Sequence, residues 1–375
     1  MASSPDSEPP IPIRAALSRV RRYIPGKPVR EVQRELGLTD IVKLASNENP
    51  LGPSPKAIVA MREAAEHVHQ YPESTAPDLQ RALAERLGVP EPYVFIGNGS
   101  DEVLRLLCAT YINPGDRVVV PGTSFPTYAN AANAMDAQVS TIPLKDFGMD
   151  LESMAEAVVG GGAGAAAVAP AKLVFLCRPN NPTGTVFDEA SFRRFLDRVG
   201  RHVLVVVDEA YHEFDDSGFT ALSLLPEFAN LVVTRTFSKI YGLGGLRIGF
   251  GIARPAVWSA LYSVREPFTI NYMAQVAALA ALQDEAHKEE TIALTREGRE
   301  RIYRLCDELH LTYVPSHGNF VLIDVARPAV PVYDAMLRHG VIVRPGFGLE
   351  HHLRVSIGTR SEMDRFEVAF REALQ

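Results

Sequence analysis

Only seven lysines occur in this chain of 375 residues, against 31 arginines, so chemistry that needs a primary amine has few candidates. One of them, Lys239, follows an apolar run at 231–233 (LVV) through Thr234-Arg235-Thr236-Phe237-Ser238 and precedes the glycine-rich stretch Gly242-Leu243-Gly244-Gly245. A lysine at a strand end, set in a pocket, is the arrangement that condenses with carbonyl compounds to a Schiff base. A second run, 203–207 (VLVVV), leads into Asp208-Glu209-Ala210-Tyr211. A carboxylate at the end of a buried strand is costly unless a cation partners it. A third run, 173–176 (LVFL), opens into Cys177-Arg178-Pro179-Asn180-Asn181-Pro182-Thr183-Gly184, a rigid turn rich in amide groups. A fourth, 93–96 (YVFI), leads through Gly97-Asn98-Gly99 to Ser100-Asp101-Glu102 and a helical pattern. The free N–H groups there form an anion site. Alone, each has a plainer reading: helix cap for Asp208, surface charge for Lys239, tight loop for the asparagines, N-cap for Ser100. Together, amine, acid, amide turn and anion cradle describe a pyridoxal phosphate site, with the lysine on the aldehyde, the acid on the pyridine nitrogen and the cradle on the phosphate.

Such residues must stand at the carboxyl ends of neighbouring strands, where parallel α/β sheets bind ligands. The β-type runs at 93–96, 117–120, 173–176, 203–207, 231–233 and 248–252 alternate with helical periodicity, and several are apolar throughout, as strands covered on both faces must be. That predicts an α/β large domain with a mostly parallel sheet flanked by helices. After 270–309, which reads as one long or two broken helices, four short runs (311–314, 320–323, 341–343, 353–357) and a closing helix at 361–373 predict a smaller C-terminal α+β domain. The expected organisation is a disordered tail over 1–12, an N-terminal arm over 13–53 that wraps rather than enters the core, a large domain over 54–285 and a small domain over 286–375. The low-complexity stretch at 160–171 is expected to be a surface loop.

Composition fits this plan. The chain is 46% hydrophobic and 22% charged with a formal net charge of −7, which excludes wholesale disorder and argues against a general nucleic-acid binder. No run of eighteen apolar residues predicts a membrane span. The three cysteines, Cys108, Cys177 and Cys306, are scattered without a C-x-x-C, so no disulfide framework or cysteine-rich zinc site is expected. Adjacent His351 and His352 point to opposite faces of a strand and do not suggest a metal. No basic and apolar leader pattern opens the sequence, and the expected location is the reducing cytoplasm.

The motifs Leu44-Ala45-Ser46-Asn47-Glu48-Asn49-Pro50, Gly97-Asn98-Gly99-Ser100-Asp101-Glu102, Asn180-Asn181-Pro182-Thr183-Gly184, Asp208-Glu209-Ala210-Tyr211 and Ser238-Lys239, in this order, resemble those of the fold-type I pyridoxal-phosphate aminotransferases, and among them the histidinol-phosphate aminotransferase family. The resemblance implies that Lys239 bonds the cofactor and shuttles the proton. It implies that Asp208 pairs with the pyridine nitrogen and that Tyr211 and Asn180 hydrogen-bond the ring hydroxyl. Phe125 would stack on the ring, and Ser100, Asp101, Thr236, Ser238 and Arg247 would line the phosphate end. Tyr71 would reach the cofactor of a second subunit, which implies a homodimer. Tyr23, Asn47, Arg344 and Arg354 would meet the substrate, the arginine fork suiting both carboxylate and phosphate. The implied reaction converts L-histidinol phosphate and 2-oxoglutarate to imidazole acetol phosphate and L-glutamate. Phe125 and Phe268 stand where many such enzymes carry tyrosine, so an aromatic amino-acid aminotransferase is an alternative. A pyridoxal-phosphate-dependent decarboxylase of phosphorylated amino acids is another, of a different class.

Overall fold

The computed structural model describes residues 11–22, 26–160 and 169–375. Of the expected tail only 11–12 are described, and of the loop at 160–171 only 160 and 169–171; Tyr23 lies outside the described residues. The strands are β1 (Val42–Lys43), β2 (Val94–Gly97), β3 (Arg117–Pro121), β4 (Gln138–Ile142), β5 (Leu173–Cys177), β6 (Leu204–Asp208), β7 (Leu231–Thr236), β8 (Gly249–Ile252), β9 (Thr312–Val314), β10 (Phe320–Asp324), β11 (Val341–Ile342), β12 (Arg344–Gly346) and β13 (Leu349–Ser356).

Seven of them form one sheet in the order β2-β8-β7-β6-β5-β3-β4. Only β8 runs against its neighbours. Alternate residues feed two cores: Val174, Leu176, Val205 and Val207 pack on one face, Leu173, Phe175, Cys177 and Val206 on the other. That two-sided burial explains why these strands are apolar throughout. β4, which the sequence pattern had not marked, is the half-exposed edge strand (QVSTI), and its polar residues hid it. The register sets Cys177 beside Asp208 and Asp208 beside Thr234, so the loaded strand ends lie side by side.

The stretch 270–309 is two helices, Tyr272–Leu282 and Glu285–Glu308, the second capped by the Asp284 side chain. Gly298 lies in its interior because a Cβ there would strike the Ile357 side chain. The second helix, the sheet β12-β13-β10-β9 and the helices Ala329–Arg338 and Arg360–Ala373 make the smaller C-terminal unit. The arm departs from its expected irregularity. It holds a helix, Val29–Leu36, and β1, which pairs in parallel with β11. Val42 and Leu44 are buried in the C-terminal core. The later half of 13–53 is therefore a structural part of the small unit; the prolines around it had masked its apolar anchors.

Candidate functional site

Residues from three parts of the chain enclose a cavity of about 370 Å³. The arm gives Ser46, Asn47 and Glu48. The large unit gives Ser100, Asp101, Arg105, Phe125, Tyr128, Cys177, Asn181, Asp208, Tyr211, Thr236, Ser238, Lys239 and Arg247, and the small unit gives Arg354.

Lys239 follows β7, and its Nζ donates to the Ser46 carbonyl at 3.0 Å. The ammonium lies over the Tyr211 ring, 5.6 Å from its centroid. Burial, then the nearby Arg354 charge, lowers its pKa to about 8. A neutral amine is therefore accessible near physiological pH, which a nucleophile or base requires. Asp208, at the end of β6, is buried. It accepts from Tyr128 Oη at 2.8 Å and from Thr234 Oγ1 at 3.1 Å. Burial raises it to about 6, while those two donors pull it down. Tyr211 receives a bond from Asn47 Nδ2 at 3.0 Å, and burial raises its phenol above the ordinary value.

The opposite wall is the start of the helix Ser100–Tyr111, whose preceding residue Gly99 has φ +76. A Cβ on Gly249 of β8 would run into Ser100 N and Gly99 C, so glycine there lets β8 lie against the helix start. Around it, Ser238 N–H donates to Thr236 Oγ1 at 3.0 Å, and Arg247 Nη2 faces Asp101 Oδ2 at 3.4 Å. The N–H groups at the helix start, two hydroxyls and one arginine make a site for a doubly charged anion.

Arg354, buried on β13, donates through Nη1 to Asn181 Oδ1 and through Nη2 to the Ala45 carbonyl, both at 2.6 Å. Its guanidinium lies over the rings of Phe320 and Phe347, at 5.5 and 5.1 Å. Arg344 is its register partner on β12 and stands 5.9 Å from the same Phe347 ring, but it does not line the cavity.

One residue of the asparagine turn changes place. Asn180 is fully buried and its amide is consumed internally: Nδ2 donates to Thr123 O at 3.0 Å and to Thr183 Oγ1 at 2.9 Å, and Oδ1 accepts from Ser124 at 2.7 Å. Asn181, not Asn180, lines the cavity. Two adjacent asparagines cannot be told apart by type; only the loop's path decides which faces the ligand. Tyr71 does not line this cavity. It is 83% exposed and stacks on Phe268 with centroids 4.8 Å apart. Tyr128 and Thr234 went unmarked in the sequence, although Tyr128 stands one helical turn after Phe125 and so shares its face.

The family model for aminotransferase class I and II matches residues 39–370. The chain is 53% identical over 364 residues to a histidinol-phosphate aminotransferase of Symbiobacterium thermophilum, covering 96% of this chain and 98% of that one. It is 46% identical over 367 residues to one of Moorella thermoacetica, covering 96% and 92%. Among solved structures it resembles histidinol-phosphate aminotransferase from Sinorhizobium meliloti in complex with pyridoxal-5'-phosphate, with TM-score 0.87, 28% identity and coverage of 96% and 97%. It also shares its fold with L-threonine-O-3-phosphate decarboxylase from Porphyromonas gingivalis, at TM-score 0.77 and 22% identity over 89% of this chain and 99% of that one. The chain belongs to the class I and II aminotransferases and, among them, to the histidinol-phosphate aminotransferase family.

Proposed function

We propose that this chain is a pyridoxal-phosphate-dependent aminotransferase that passes the amino group of L-histidinol phosphate to 2-oxoglutarate, releasing imidazole acetol phosphate and L-glutamate, and that it works as a cytoplasmic homodimer. The observation that carries this reading is the convergence of the Lys239 amine, the Asp208 carboxylate and the Arg354 guanidinium on one cavity whose far wall is a helix N-terminus. Near-full-length identity to histidinol-phosphate aminotransferases supports the substrate.

The residues present suit the cofactor. Lys239 is the half-buried amine for its aldehyde, and Asp208 is a buried acid with a side open to the cavity for the ring nitrogen. The cradle of Ser100, Asp101, Thr236, Ser238 and Arg247 suits its phosphate, the first two through backbone N–H. Tyr211 and Asn181 suit its ring hydroxyl, with Asn181 taking the place first expected of Asn180, and Phe125 covers a ring face. When bound, the protonated pyridine ring supplies an electron sink for charge left at the substrate carbon.

The protein's own work is positional and acid–base. Lys239 Nζ would take the proton from the substrate carbon and pass it to the carbon supplied by the cofactor's aldehyde, which its lowered pKa permits. Asp208 would hold the proton on the ring nitrogen. Arg354, fixed by Asn181 and the Ala45 carbonyl, presents its planar fork to the carboxylate of glutamate or the phosphate of histidinol phosphate. Arg344, one strand away, is the second cation for that phosphate; Asn47, which lines the cavity, meets the substrate too, as does Tyr23 by the family resemblance. Tyr71, exposed and stacked on Phe268, serves the partner subunit's cavity; large apolar groups left at a surface mark interaction sites. The free, buried Cys108, Cys177 and Cys306 suit a reducing compartment, and no helix among the described residues is long and apolar enough to cross a membrane.

The test is stoichiometric. With L-histidinol phosphate and 2-oxoglutarate, the purified protein is expected to form one glutamate per imidazole acetol phosphate. Loss of CO2 from a phosphorylated amino acid without glutamate formation would contradict the reading.

A further inference from the structure

Asp208 is almost fully buried, yet the donors that reach its carboxylate are uncharged: two side-chain hydroxyls and the backbone N–H of Ala210. Tyr128 Oη donates to Oδ2 at 2.8 Å and Thr234 Oγ1 to Oδ1 at 3.1 Å. Tyr128 is itself fixed. It is buried, stacks on Phe175 with centroids 5.1 Å apart and an interplanar angle of 13°, and meets Phe125 edge-on at 5.7 Å. Its hydroxyl therefore meets two neighbours, the Asp208 carboxylate, to which it donates, and the Cys177 thiol, which itself donates to the Pro179 carbonyl. The other titratable groups facing Asp208 offer no compensating charge on their own elements. Cys177 on β5 is a protonated thiol, burial raising it to about 12; Tyr211 beyond β6 is a phenol; and Asp101 on the helix Ser100–Tyr111 repels it. Four cations line the same cavity: Lys239, beyond β7, with its Nζ turned to Ser46 O, Arg247 beside Asp101, Arg354 on Asn181 and the Ala45 carbonyl, and Arg105 on the helix Ser100–Tyr111. A buried carboxylate is charged only to the extent that donors hold it so.

We propose that Tyr128 is a positioning residue for Asp208: its hydroxyl holds the carboxylate ionised and turned toward the cavity, and so sets how tightly, and down to what pH, the pyridine nitrogen of the cofactor is bound. This rests on the reading of Asp208 as the ring-nitrogen partner. The sign is fixed by the donor. Removing a hydrogen bond to the ionised form raises the carboxyl's pKa above its present value of about 6. Binding of a protonated ring then begins to weaken at higher pH.

The experiment uses the apoprotein and pyridoxamine 5'-phosphate, which has the same ring nitrogen but no aldehyde, so that bonding to Lys239 does not enter. Dissociation constants are measured by equilibrium dialysis between about pH 5.5 and 8.5 for the wild type, Tyr128→Phe, Thr234→Val and Asp208→Asn. The ligand's own phosphate titrates near pH 6 in all four proteins and cancels in the comparison. Tyr128→Phe keeps the stacked ring. It is expected to move the acid-side loss about one unit upward, so that binding weakens about twofold at pH 7 and approaches tenfold toward pH 5.5. Thr234→Val, which removes the longer bond, is expected to shift the same way by less, and keeps the test open if Tyr128→Phe folds poorly. Asp208→Asn is expected to weaken binding most and to lose the acid-side dependence on the carboxyl. Wild-type constants in Tyr128→Phe across the pH range, with Asp208→Asn impaired, overturn the proposal alone. An Asp208→Asn protein that binds as the wild type does overturns the reading of Asp208 and the proposal with it.

Discussion

At Lys239, burial and the neighbouring Arg354 charge act in the same direction, and both disfavour the ammonium. A group held at about 8 is largely neutral above that pH and largely protonated below it. The rate at which the apoprotein takes up pyridoxal 5'-phosphate, followed by its visible absorbance, is therefore expected to rise with pH through a midpoint near 8 and to level off above it. A limb near the ordinary lysine value would contradict the assignment. Lys239→Ala is expected to lose the bound chromophore and transaminase activity together, as measured by absorbance after gel filtration. The two asparagines of the rigid turn separate by environment. Asn180→Ala breaks three internal hydrogen bonds at a fully buried position, at a cost of roughly 1–3 kcal/mol each way it leaves a partner unpaired. It is expected to lower the unfolding midpoint. Asn181→Ala, which removes one of the bonds that orient the Arg354 fork, is expected to raise KM for glutamate and histidinol phosphate with a smaller effect on stability. Equal loss of stability in both variants would remove that distinction.

At the scale of elements, the site is built by the ends of β5, β6 and β7 in register, the start of the helix Ser100–Tyr111 behind β2, and β13 crossing from the small unit. Much of this was legible. Apolar runs ending in Asp208, Lys239 and the asparagine turn marked the strand ends, because two-sided burial forces unbroken hydrophobicity and the ligand side breaks it. What stayed hidden depended on contacts between distant segments. The choice of Asn181 over Asn180 depends on the path of one loop. Tyr128 and Thr234 gain their importance only from the register that brings them to Asp208. β1 is two residues long, and its partner β11 lies almost 300 residues away. Gly249 is another such case: nothing local explains it, but a side chain there would collide with the backbone at Ser100. Gly249→Ala is expected to push β8 off the helix start, cost about 1–3 kcal/mol of stability, and weaken affinity for pyridoxal 5'-phosphate more than for pyridoxal. Equal weakening for the two ligands would place the disturbance outside the phosphate cradle.

Over the whole molecule, the cavity exists because two units and an arm meet, and their mutual placement is held by buried charge. Asp215 pairs with the buried Arg178 at 2.6 Å, just before the asparagine turn, and with His317 at 2.8 Å, just before β10. Its neighbour Asp216 pairs with Arg299 at 3.0 Å on the long helix of the small unit. Two adjacent carboxylates thus tie the turn that carries Asn181 to the unit that carries Arg354. Asp215→Asn leaves Arg178 uncompensated and is expected to cost roughly 3–5 kcal/mol, read from urea unfolding. It should also raise KM for both substrates, because the two halves of the substrate clamp lose their fixed spacing. Net charge of −7 is no obstacle to anionic ligands, since the cations that matter are concentrated at the cavity. The central claim is that this cavity transaminates histidinol phosphate. Its most direct test compares kcat/KM for L-histidinol phosphate and L-phenylalanine, each with 2-oxoglutarate. The account predicts a clear preference for histidinol phosphate, one that shrinks in Arg354→Lys. A preference for phenylalanine would contradict it.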